Sequence, residues 1–525
     1  MEFVSGIRIG WNLGNTLDAT DFGEGWLRAD STVATMETAW KNPVTTKANI
    51  DAVKAAGFNA IRIPVSWFKA TNGPPDYTIR ADWMKRVTEI VDYAVANDMY
   101  ILLNTHHDEY HGHGRTDVLR FDGTEAEITA SLDAFRKIWE QIADNFKNYD
   151  EKLIFEGLNE PRVVGSPQEW NGTRAQFEIL NRYYPIFVEV VRNSGGNNGK
   201  RFLIINPYAA ASGGNASAIN ALVLPNDPAT DKLIVSIHAY VPYNFALAPA
   251  SGGGVAKWSS GNAGDTRAIR DAIQPAYDKF VSKGIPVIIG EFGAPTRDNE
   301  ADRAAWAEYY VSYAKSKGIP CFFWDNGSLD SGGDGFALLN RRTNKIEFPD
   351  IVSALMRGVD SATPAPPSGG DGGTSPGDGG GATQPPANSA SLGRYSYGVK
   401  EDGVSTNPQQ AVWNLTAAQV ALAKEPGAKL VLQLANAPAA TLQFVWQGPA
   451  NNLWWNQKDI LGGTGNVLSA SDASWDAGTN TLTINLSAAA DYSTFKNQPQ
   501  LNLIIAYYGS SDIKDLGIES AVLVK

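Results

Sequence analysis

Short apolar runs alternate regularly with helix-forming segments over residues 1–358. Eight of these runs are predicted to be strands: Ile7–Trp11, Ala60–Ile63, Tyr100–Asn104, Leu153–Phe155, Phe202–Ile205, Leu233–Ile237, Val287–Ile289 and Cys321–Phe323. Segments with a helical period lie between them: Thr45–Ala56, Asp82–Asn97, Glu125–Asn145, Arg174–Asn193, Thr266–Lys283 and Asp302–Lys317. The helical pattern is weakest between the fifth and sixth runs. Because almost continuously apolar strands are covered on both faces, the pattern predicts an α/β fold, a (β/α)8 or TIM barrel, with a doubly wound open sheet as the alternative.

The composition changes abruptly after Val359. From Asp360 to Ser391 the chain is rich in Pro, Gly and Ser and has no Lys, Arg, aromatic or large aliphatic residue. Such a segment cannot bury enough apolar surface to offset its ordering entropy, so residues 359–391 are predicted to be a disordered linker between a barrel over 1–358 and a module over 392–525. Runs that alternate or are apolar predict a small all-β sandwich in that module: Lys429–Leu434, Thr441–Trp446, Thr481–Leu486 and Leu501–Ala506.

Charge and composition exclude several classes of function. The net charge is −12, which rules out non-specific electrostatic binding to nucleic acid or to an anionic membrane, because both require a basic face. The longest apolar runs, such as Ile285–Ile289, are too short to span a bilayer. The one cysteine, Cys321, excludes an intrachain disulfide framework and a cysteine-rich zinc site. A neutral polymer remains a compatible partner.

Polar side chains recur where six of the predicted strands end. In a barrel these ends share one rim, and the active site lies on that rim. The side chains are Arg62 after the second strand, His106, His107 and Asp108 after the third, Asn159 and Glu160 after the fourth, His238 and Tyr240 after the sixth, Glu291 after the seventh, and Trp324 and Asp325 after the eighth. Six such coincidences on one rim indicate a functional site.

Glu160 and Glu291 are the central candidates, because the fourth and seventh strands lie on opposite sides of an eight-stranded ring. Glycoside hydrolysis needs two carboxyl groups, one protonated to release the leaving oxygen and one ionised to attack the sugar or activate water. The pair is therefore predicted to be catalytic. Glu156 is a weaker candidate, since it is expected to lie within the strand or its wall, and Asp108 and Asp325 are candidates for supporting roles.

These residues belong to motifs that together resemble glycoside hydrolase family 5, most closely its subfamily 4 of endoglucanases and xyloglucanases. The motifs are, in chain order, Gly10–Asp18 (GWNLGNTLD), Arg62 within IRIPV, His106-His107, Asn159-Glu160-Pro161, His238-Ala239-Tyr240, Gly290–Gly293 (GEFG) and Trp324–Gly327 (WDNG). The resemblance covers essentially all of residues 1–358. It implies endo-acting, retaining hydrolysis of β-1,4-glucosidic bonds in cellulose, mixed-linkage glucan or xyloglucan, with Glu160 as acid/base and Glu291 as nucleophile.

The resemblance also implies a set of substrate-binding residues: Asn15, Arg62, His106, His107, Asn159, His238, Tyr240 and Trp324. Within it, Arg62 and the Tyr240 hydroxyl are expected to keep Glu291 ionised. Asn159 is expected to reach the sugar 2-hydroxyl, and Trp324 to floor the subsite just before the cleaved bond. Glu160 must carry a proton, and we expect the negative charge of Glu291 to raise its pKa.

Alternative functions follow from the same residues. Four of the five histidines (His106, His107, His111 and His113) fall close together, so a zinc site and a metal-dependent barrel hydrolase are one alternative. The favoured interpretation needs no metal and no cofactor. A β-mannanase or xylanase on the same barrel is another alternative, because subsite residues decide the sugar. The intact glutamate pair argues against an inactive sugar-binding protein.

The module is predicted to bind carbohydrate because it has more tryptophans than its core needs: Trp413, Trp446, Trp454, Trp455 and Trp475. Adjacent residues of one strand point to opposite faces, so Trp454 and Trp455 cannot both be buried. Trp446, Trp454 and Trp455 are the candidate sugar-binding residues. The expected partner is a β-glucan polysaccharide, without nucleic acid or membrane. A secreted monomer is expected, although the first residues, Met1–Phe3, are too short to be a signal peptide.

Overall fold

The chain forms two compact units, Met1–Gly370 and Asp371–Lys525, each with its own hydrophobic core. The computed structural model describes residues 1–21, 27, 30–109, 118–331, 334–361, 389–392, 395–399, 406–438, 441–448, 453–462, 466–467, 473–486, 501–507 and 512–525. Most of the predicted linker therefore lies outside the described residues. Regular structure reaches into both ends of the predicted segment, since one helix extends to Ser361 and a strand begins at Ser389.

The first unit is a closed barrel in which eight parallel strands pair in sequence order and the last pairs with the first. The strands are β1 (Gly10–Leu13), β2 (Ala60–Ile63), β3 (Tyr100–Asn104), β4 (Leu153–Glu156), β5 (Leu203–Ile205), β6 (Leu233–His238), β7 (Val287–Phe292) and β8 (Cys321–Asp325). The predicted (β/α)8 fold is confirmed. Only β1 begins clearly later than predicted, because the amides of Arg8 and Ile9 donate to the side chain of Asn59 instead of to a neighbouring strand.

Helices precede, separate and follow the strands of the barrel. They are α1 (Glu2–Ser5), α2 (Val33–Glu37), α3 (Lys47–Ala55), α4 (Ala81–Val95), α5 (Glu125–Phe146), α6 (Arg174–Asn193), α7 (Ala216–Ala221), α8 (Tyr243–Ala246), α9 (Ala263–Lys279), α10 (Glu300–Ser316) and α11 (Pro349–Ser361). The short α7 is the weak helix expected after the fifth strand. Helix α5 begins with a capping box, in which Thr124 and Glu127 satisfy each other's backbone amides. In the described part of the chain, no helix has the length and apolarity needed to span a bilayer.

The interior of the barrel changes from apolar to polar between two successive layers of side chains. The lower layer packs as a separate apolar cluster that includes Ala60, Leu102, Ile154, Ile204, Ile234, Ile288 and Phe322. Side chains two positions later in a strand point to the same face. Those positions hold Arg62, Asn104, Glu156, Asn206, Ser236, Gly290 and Trp324. The polar layer therefore lies directly above a dry floor, toward the carboxyl ends of the strands.

Asp325, on the last strand of the barrel, forms hydrogen bonds with a residue of the first strand and with the segment that follows β8. Its Oδ2 atom accepts from Trp11 Nε1 at 3.0 Å and from the Leu338 amide at 2.8 Å, and its Oδ1 atom lies 3.0 Å from Arg341 Nη2. Both side chains of this ion pair are almost completely buried. Asp108 has a similar role in a loop, where it accepts from the amides of Trp67 and Phe68. These two aspartates, expected to support the glutamates, hold the framework around the site.

The second unit is an all-β module built from two antiparallel sheets. One sheet has the order β11-β21-β14-β19-β18 and the other β12-β13-β20-β15-β16-β17; a further short pair, β9-β10, belongs to the first unit. The elements are β9 (Leu339–Asn340), β10 (Lys345–Ile346), β11 (Ser389–Ser391), β12 (Ser396–Val399), β13 (Thr406–Asn414), α12 (Ala417–Ala423), β14 (Lys429–Leu434), β15 (Leu442–Gly448), β16 (Leu453–Gly462), β17 (Asn466–Val467), β18 (Ala473–Asp476), β19 (Thr481–Asn485), β20 (Asn502–Tyr507) and β21 (Ile518–Val524). The predicted all-β class is confirmed.

Trp446 was predicted to bind sugar, and this prediction is wrong. Its side chain is 0% exposed and belongs to the core of the module with Phe444 and Leu503. The reason is the alternation along β15, in which Leu442, Phe444 and Trp446 share the inward face. Trp454 and Trp455 lie on β16, where Trp455 pairs in register with Trp446, and their role as sugar-binding residues stays a prediction.

We expect Asp325→Ala to lower the free energy of unfolding of the barrel by about 3–5 kcal/mol, because the substitution leaves the buried Arg341 without its carboxylate. Urea or thermal unfolding followed by tryptophan fluorescence measures the change. Asp76→Ala is the matched control, since that carboxylate is exposed and its loss should change stability by about 0.5 kcal/mol or less. Equal stability of the two variants would show that the contacts of Asp325 with Trp11 and Arg341 do not stabilise the barrel.

Candidate active site

A cavity of about 770 Å³ opens where the strands of the barrel end. Its lining includes most of the residues that the sequence placed on the rim: His106, His107, Asn159, Glu160, His238, Tyr240, Glu291 and Trp324. Two predicted substrate-binding residues, Asn15 and Arg62, are not part of the lining. Asn15 forms the turn after β1, with a φ of 55° and its carbonyl accepting from Asn42.

Arg62 lies beneath the cavity with no exposed surface. Its guanidinium donates to Glu156 at 2.7 Å, to Glu291 at 2.7 Å, to Asn159 at 2.7 Å and to Asn12 at 3.0 Å. Burial alone would lower the pKa of Arg62, but the two carboxylates outweigh it and raise that pKa above its ordinary value. A fully buried side chain cannot contact a sugar, so the expected substrate contact of Arg62 is corrected to a positioning role.

Glu156 completes the charge balance below the cavity. Besides the Arg62 contact, its carboxylate accepts from the amide nitrogens of Asn104 and Asn206, each at 3.1 Å. It is the last residue of β4 and is fully buried, as expected for a group in the strand wall. Its negative charge is thus neutralised within the polar layer.

Glu291 is held on both carboxylate oxygens. Oε1 accepts from Arg62, and Oε2 accepts from the hydroxyl of Tyr240 at 2.8 Å. Burial, followed by the charges of Glu291 and Glu160, raises the pKa of Tyr240 well above its usual value, so this hydroxyl keeps its proton and donates. The structure places on Glu291 the two donors that the sequence analysis named.

Glycine precedes Glu291 because the neighbouring strand comes close. A Cβ atom at Gly290 would collide with Ser236 Oγ and lie 3.1 Å from His238 Nε2. The register between β6 and β7 shifts at this point, so that His238 pairs with Glu291. The missing side chain therefore leaves the room in which the His238 ring lies beside both glutamates.

Glu160 has a different set of neighbours. His238 Nδ1 lies 2.8 Å from its Oε1 atom, and Arg162 Nη1 lies 3.3 Å from its Oε2 atom. Burial raises the pKa of Glu160, but the hydrogen bond from His238 and the positive charges of His238, Arg162 and His107 outweigh burial and lower the pKa to about 2. The expectation that Glu291 raises this pKa is wrong for the substrate-free enzyme, because the nearest charges are cationic.

The two glutamates face each other across a short distance. One carboxylate oxygen of Glu160, one of Glu291 and a ring nitrogen of His238 all lie within 4.8 Å of one another. His238 Nδ1 is also 3.6 Å from Glu291 Oε2, so the imidazole lies between the pair. Glu160, His238 and Glu291 therefore form one compact cluster at the bottom of the cavity.

Aromatic rings form one wall of the cavity. The rings of Trp324 and His106 are parallel within 4°, with centroids 5.9 Å apart. Gly14 lets the indole approach, since a Cβ atom there would be 2.7 Å from the Trp324 ring. Burial first, then the charges of His107 and Arg62, lower the pKa of His106 well below its usual value. The His106 ring beside the indole is therefore uncharged.

Two groups of described side chains come close enough to hold a metal ion: Asp18 with His106 and His107, and Glu160 with His238 and Glu291. In the first group the carboxylate already accepts from the amides of Asn15 and Thr16, and burial raises the pKa of Asp18 to about 6. In the second group Arg62 and Arg162 occupy the carboxylate oxygens and repel a cation. His111 and His113, from the zinc alternative, lie outside the described residues.

Several site residues were missed by the sequence analysis. Asn12, Asn104 and Asn206 belong to the polar layer, and counting two positions on from the apolar interior residues would have found the last two. Arg162 and Trp170 follow β4 in a loop, where no periodic signal marks them.

Comparisons with known proteins agree with this geometry. A family model for cellulase (glycosyl hydrolase family 5) matches residues 22–330. Endoglucanase B of Neocallimastix patriciarum is 43% identical over 359 residues, which are 68% of this chain and 71% of that protein. The chain belongs to glycosyl hydrolase family 5. The predicted family and the predicted cellulase-type glycoside hydrolase are thereby confirmed.

Solved family 5 structures are similar over the barrel. A GH5-4 broad specificity endoglucanase from Ruminococcus champanellensis with bound cellotriose is 44% identical, with a TM-score of 0.62, over 67% of this chain and 97% of that one. A family 5 lichenase mutant from Caldicellulosiruptor sp., in complex with cellotetraose, is 41% identical, with a TM-score of 0.63, over 68% of this chain and 94% of that one.

We expect His238→Asn to raise the pKa of Glu160, because the substitution removes the hydrogen bond and the positive charge that lower it to about 2. A carboxyl ¹³C NMR titration of the labelled protein measures this pKa, and Glu160→Gln assigns the signal. The wild-type carboxyl should stay ionised well below pH 4, whereas the carboxyl of the variant should titrate at a higher pH. Identical titrations of the wild type and the variant would show that His238 does not lower the pKa of Glu160.

Proposed function

We propose that this family 5 enzyme is an endo-acting, retaining hydrolase of β-1,4-glucosidic bonds in cellulose, mixed-linkage glucan or xyloglucan. The observation that carries the proposal is the spacing of the two carboxylates, with one oxygen of each within 4.8 Å. Retaining glycosidases have carboxyl groups about 5–5.5 Å apart, whereas inverting enzymes need about 6.5–9.5 Å to admit a water molecule. The short separation therefore supports a covalent glycosyl-enzyme intermediate.

Glu291 serves as the nucleophile in this proposal. Arg62 and Tyr240 each donate to one of its carboxylate oxygens and orient the group, so that one oxygen attacks the anomeric carbon. The hydroxyl of Tyr240, which donates to Glu291, also lines the cavity.

Glu160 serves as the acid/base, and His238 is hydrogen-bonded to its carboxylate. This hydrogen bond contributes to the lowered pKa of Glu160 in the substrate-free enzyme. When the leaving oxygen gains charge, Glu160 donates a proton to that oxygen. Glu160 then takes a proton from water, which attacks the anomeric carbon and releases Glu291.

The cavity wall accounts for the recognition of a glucosyl unit. The indole of Trp324, which lines the cavity, suits the apolar face of a β-glucopyranose ring. Asn159 lines the cavity and accepts from Arg62 through its Oδ1 atom, which leaves the amide nitrogen for the 2-hydroxyl of the sugar. The β-mannanase or xylanase alternative has less support, because the named relatives are endoglucanases and a lichenase.

Glu291→Ala should abolish turnover of β-glucan, and added azide should restore turnover of an activated aryl cellobioside with an α-glycosyl azide as product, because azide enters the space of the missing nucleophile. Glu160→Ala should lose about 10²–10⁴-fold on natural glucan but keep activity on substrates with good leaving groups, which need no proton. Product NMR and steady-state kinetics measure both effects. Near-normal rates of either variant on natural glucan would contradict the assignment.

We also propose that the C-terminal module binds β-glucan through Trp454 or Trp455, and that the segment between the helix ending at Ser361 and the strand beginning at Ser389 tethers it to the barrel. Two separate hydrophobic cores support independent folding of barrel and module. Because insoluble β-glucan cannot enter a cell, the enzyme is proposed to work outside the cell, as a monomer. Tethering would raise the effective concentration of the barrel at the polymer surface.

A chain ending at Ser361 should keep full activity on soluble glucan but lose rate on insoluble glucan, since the barrel closes before that residue. Within the full chain, Trp454→Ala or Trp455→Ala should weaken binding to cellulose or xyloglucan, with little dependence on salt. Trp446→Ala is the contrasting variant, because loss of a core indole should lower the stability of the module by about 3–5 kcal/mol. Equal rates of the truncated and full chains on insoluble glucan would contradict a binding role for the module.

A further inference from the structure

Glu169 is a charged side chain beside the catalytic cavity that the proposed mechanism does not yet use. It lies in the loop between β4 and α6, and 21% of its side chain is exposed. Among the described residues that line the cavity, Glu169 is absent. A side chain in this position can affect the reaction only through a neighbour that reaches the site.

Arg162 is that neighbour. Its Nε atom donates to Glu169 Oε1 at 3.1 Å, and its Nη1 atom donates to the backbone oxygen of Glu160 at 3.1 Å and to Glu160 Oε2 at 3.3 Å. The guanidinium also lies 4.6 Å from the centroid of the Trp170 ring, which is the distance of a cation–π contact. Because the donors of arginine form a rigid planar fork, the contact with Glu169 fixes the orientation of the group that contacts Glu160.

The loop that carries Arg162 and Glu169 is anchored near both ends. The amide of Val163 donates to the hydroxyl of Tyr208 at 2.9 Å, and the side-chain amide of Asn215 donates to the carbonyl of Trp170 at 3.1 Å. Between these anchors, Glu169 Oε2 accepts from the amide of Gly165 at 2.8 Å. Both carboxylate oxygens of Glu169 are therefore used, one by the backbone and one by Arg162.

The charges around Glu160 favour the form that cannot donate a proton. Titratable and charged groups from several elements face this carboxyl: His107 and Glu109 after β3, Arg162 after β4, His238 and Tyr240 at the end of β6, and Glu291 on β7. Although burial raises the pKa of Glu160, the cationic members of this set outweigh burial and lower the pKa to about 2. General acid catalysis needs the protonated carboxyl. A negative charge on the far side of the guanidinium offsets part of the effect of Arg162.

Glu109 is the other carboxyl that could balance Arg162. It is 2% exposed, and in the part of the chain that the structure describes its Oε2 atom accepts no hydrogen bond. Burial raises the pKa of Glu109 to about 8, although the charge of Arg162 acts in the opposite direction. A carboxyl that is neutral below that pH contributes little charge. Glu169 is therefore the counter-ion of Arg162 on the side away from Glu160.

We propose that Glu169 is a positioning residue for proton transfer: it fixes the Arg162 guanidinium against Glu160 and offsets part of its positive charge, so that Glu160 can carry the proton for the leaving oxygen. The proton moves from Glu160 to the leaving oxygen, and none passes to Glu169. The inference rests on the proposed function and adds a residue outside the cavity to it.

The test uses the full-length enzyme and a series of aryl β-cellobiosides that differ in the acidity of the leaving phenol. Glu169→Gln should lower kcat/KM about tenfold for phenyl β-cellobioside but less than about twofold for 2,4-dinitrophenyl β-cellobioside, which leaves without a proton. The plot of log kcat/KM against the pKa of the leaving phenol should therefore become steeper. Glu169→Asp, which keeps the charge, should recover part of the loss. Rates are expressed per active site, counted from the burst of dinitrophenolate, so that misfolded protein does not affect them.

Three controls separate this role from a general change in charge or structure. Glu178→Gln removes the same charge from an exposed ion pair with Arg174 and should keep the wild-type slope. Glu109→Gln replaces a protonated carboxyl by an amide of the same shape, so it should keep that slope at about pH 6. In an Arg162→Met background, Glu169→Gln should have no further effect, because Glu169 acts through the guanidinium.

The outcomes distinguish this inference from the proposed function. A steeper slope in Glu169→Gln that disappears in the Arg162→Met background supports the positioning role. An unchanged slope, an equal loss on every aryl substrate, or the same steepening without Arg162 overturns it and leaves the proposed function intact. Failure of the proposed function would instead be seen in the wild-type enzyme, as absence of cellopentaose cleavage.

Discussion

The buried guanidinium of Arg62 is the interaction on which the site depends. It has no exposed surface, and it donates to four side chains on or just after three strands: Asn12 on β1, Glu156 on β4, Asn159 just after β4 and Glu291 on β7. An isolated charge in this position would be very costly, so the surrounding carboxylates and amide oxygens must be present together. Removing one partner of a buried ion pair typically costs about 3–5 kcal/mol. The same contacts therefore stabilise the barrel and set the orientation of Glu291.

The environment of this charge follows from the layered interior of the barrel. Below it lies an apolar layer with Leu102, Ile154 and Ile288, and above it the cavity opens to solvent. The dry floor keeps water away from the lower side of the polar layer, where electrostatic interactions are stronger than in water. Binding of a polymer would cover the upper side as well. The barrel thus provides a low-dielectric site whose charges are already oriented before the substrate arrives.

The two glutamates are distinguished by their cationic neighbours. Glu291 is bound to Arg62, whose charge is permanent. Glu160 is bound to His238, an imidazole that can give up its proton, and to Arg162 at the edge of the cavity. One carboxylate is thus suited to attack and the other to proton transfer. The Arg162 guanidinium contacts both Glu160 and the exposed ring of Trp170.

The sequence by itself determined the eight strands, the family, and which polar residues follow each strand, because the apolar alternation and the local motifs are properties of neighbouring residues. Only the tertiary structure decided how these residues are used. Arg62 meets Glu156 and Glu291 across 94 and 229 positions of the chain, so its burial and its partners could not be derived from local pattern. For the same reason Trp446 proved to be a core residue, and the lowered pKa of Glu160 depends on His238, 78 positions away. The pattern along a strand predicts which face a side chain occupies. Which side chains lie opposite it depends on how the distant strands come together in the closed barrel.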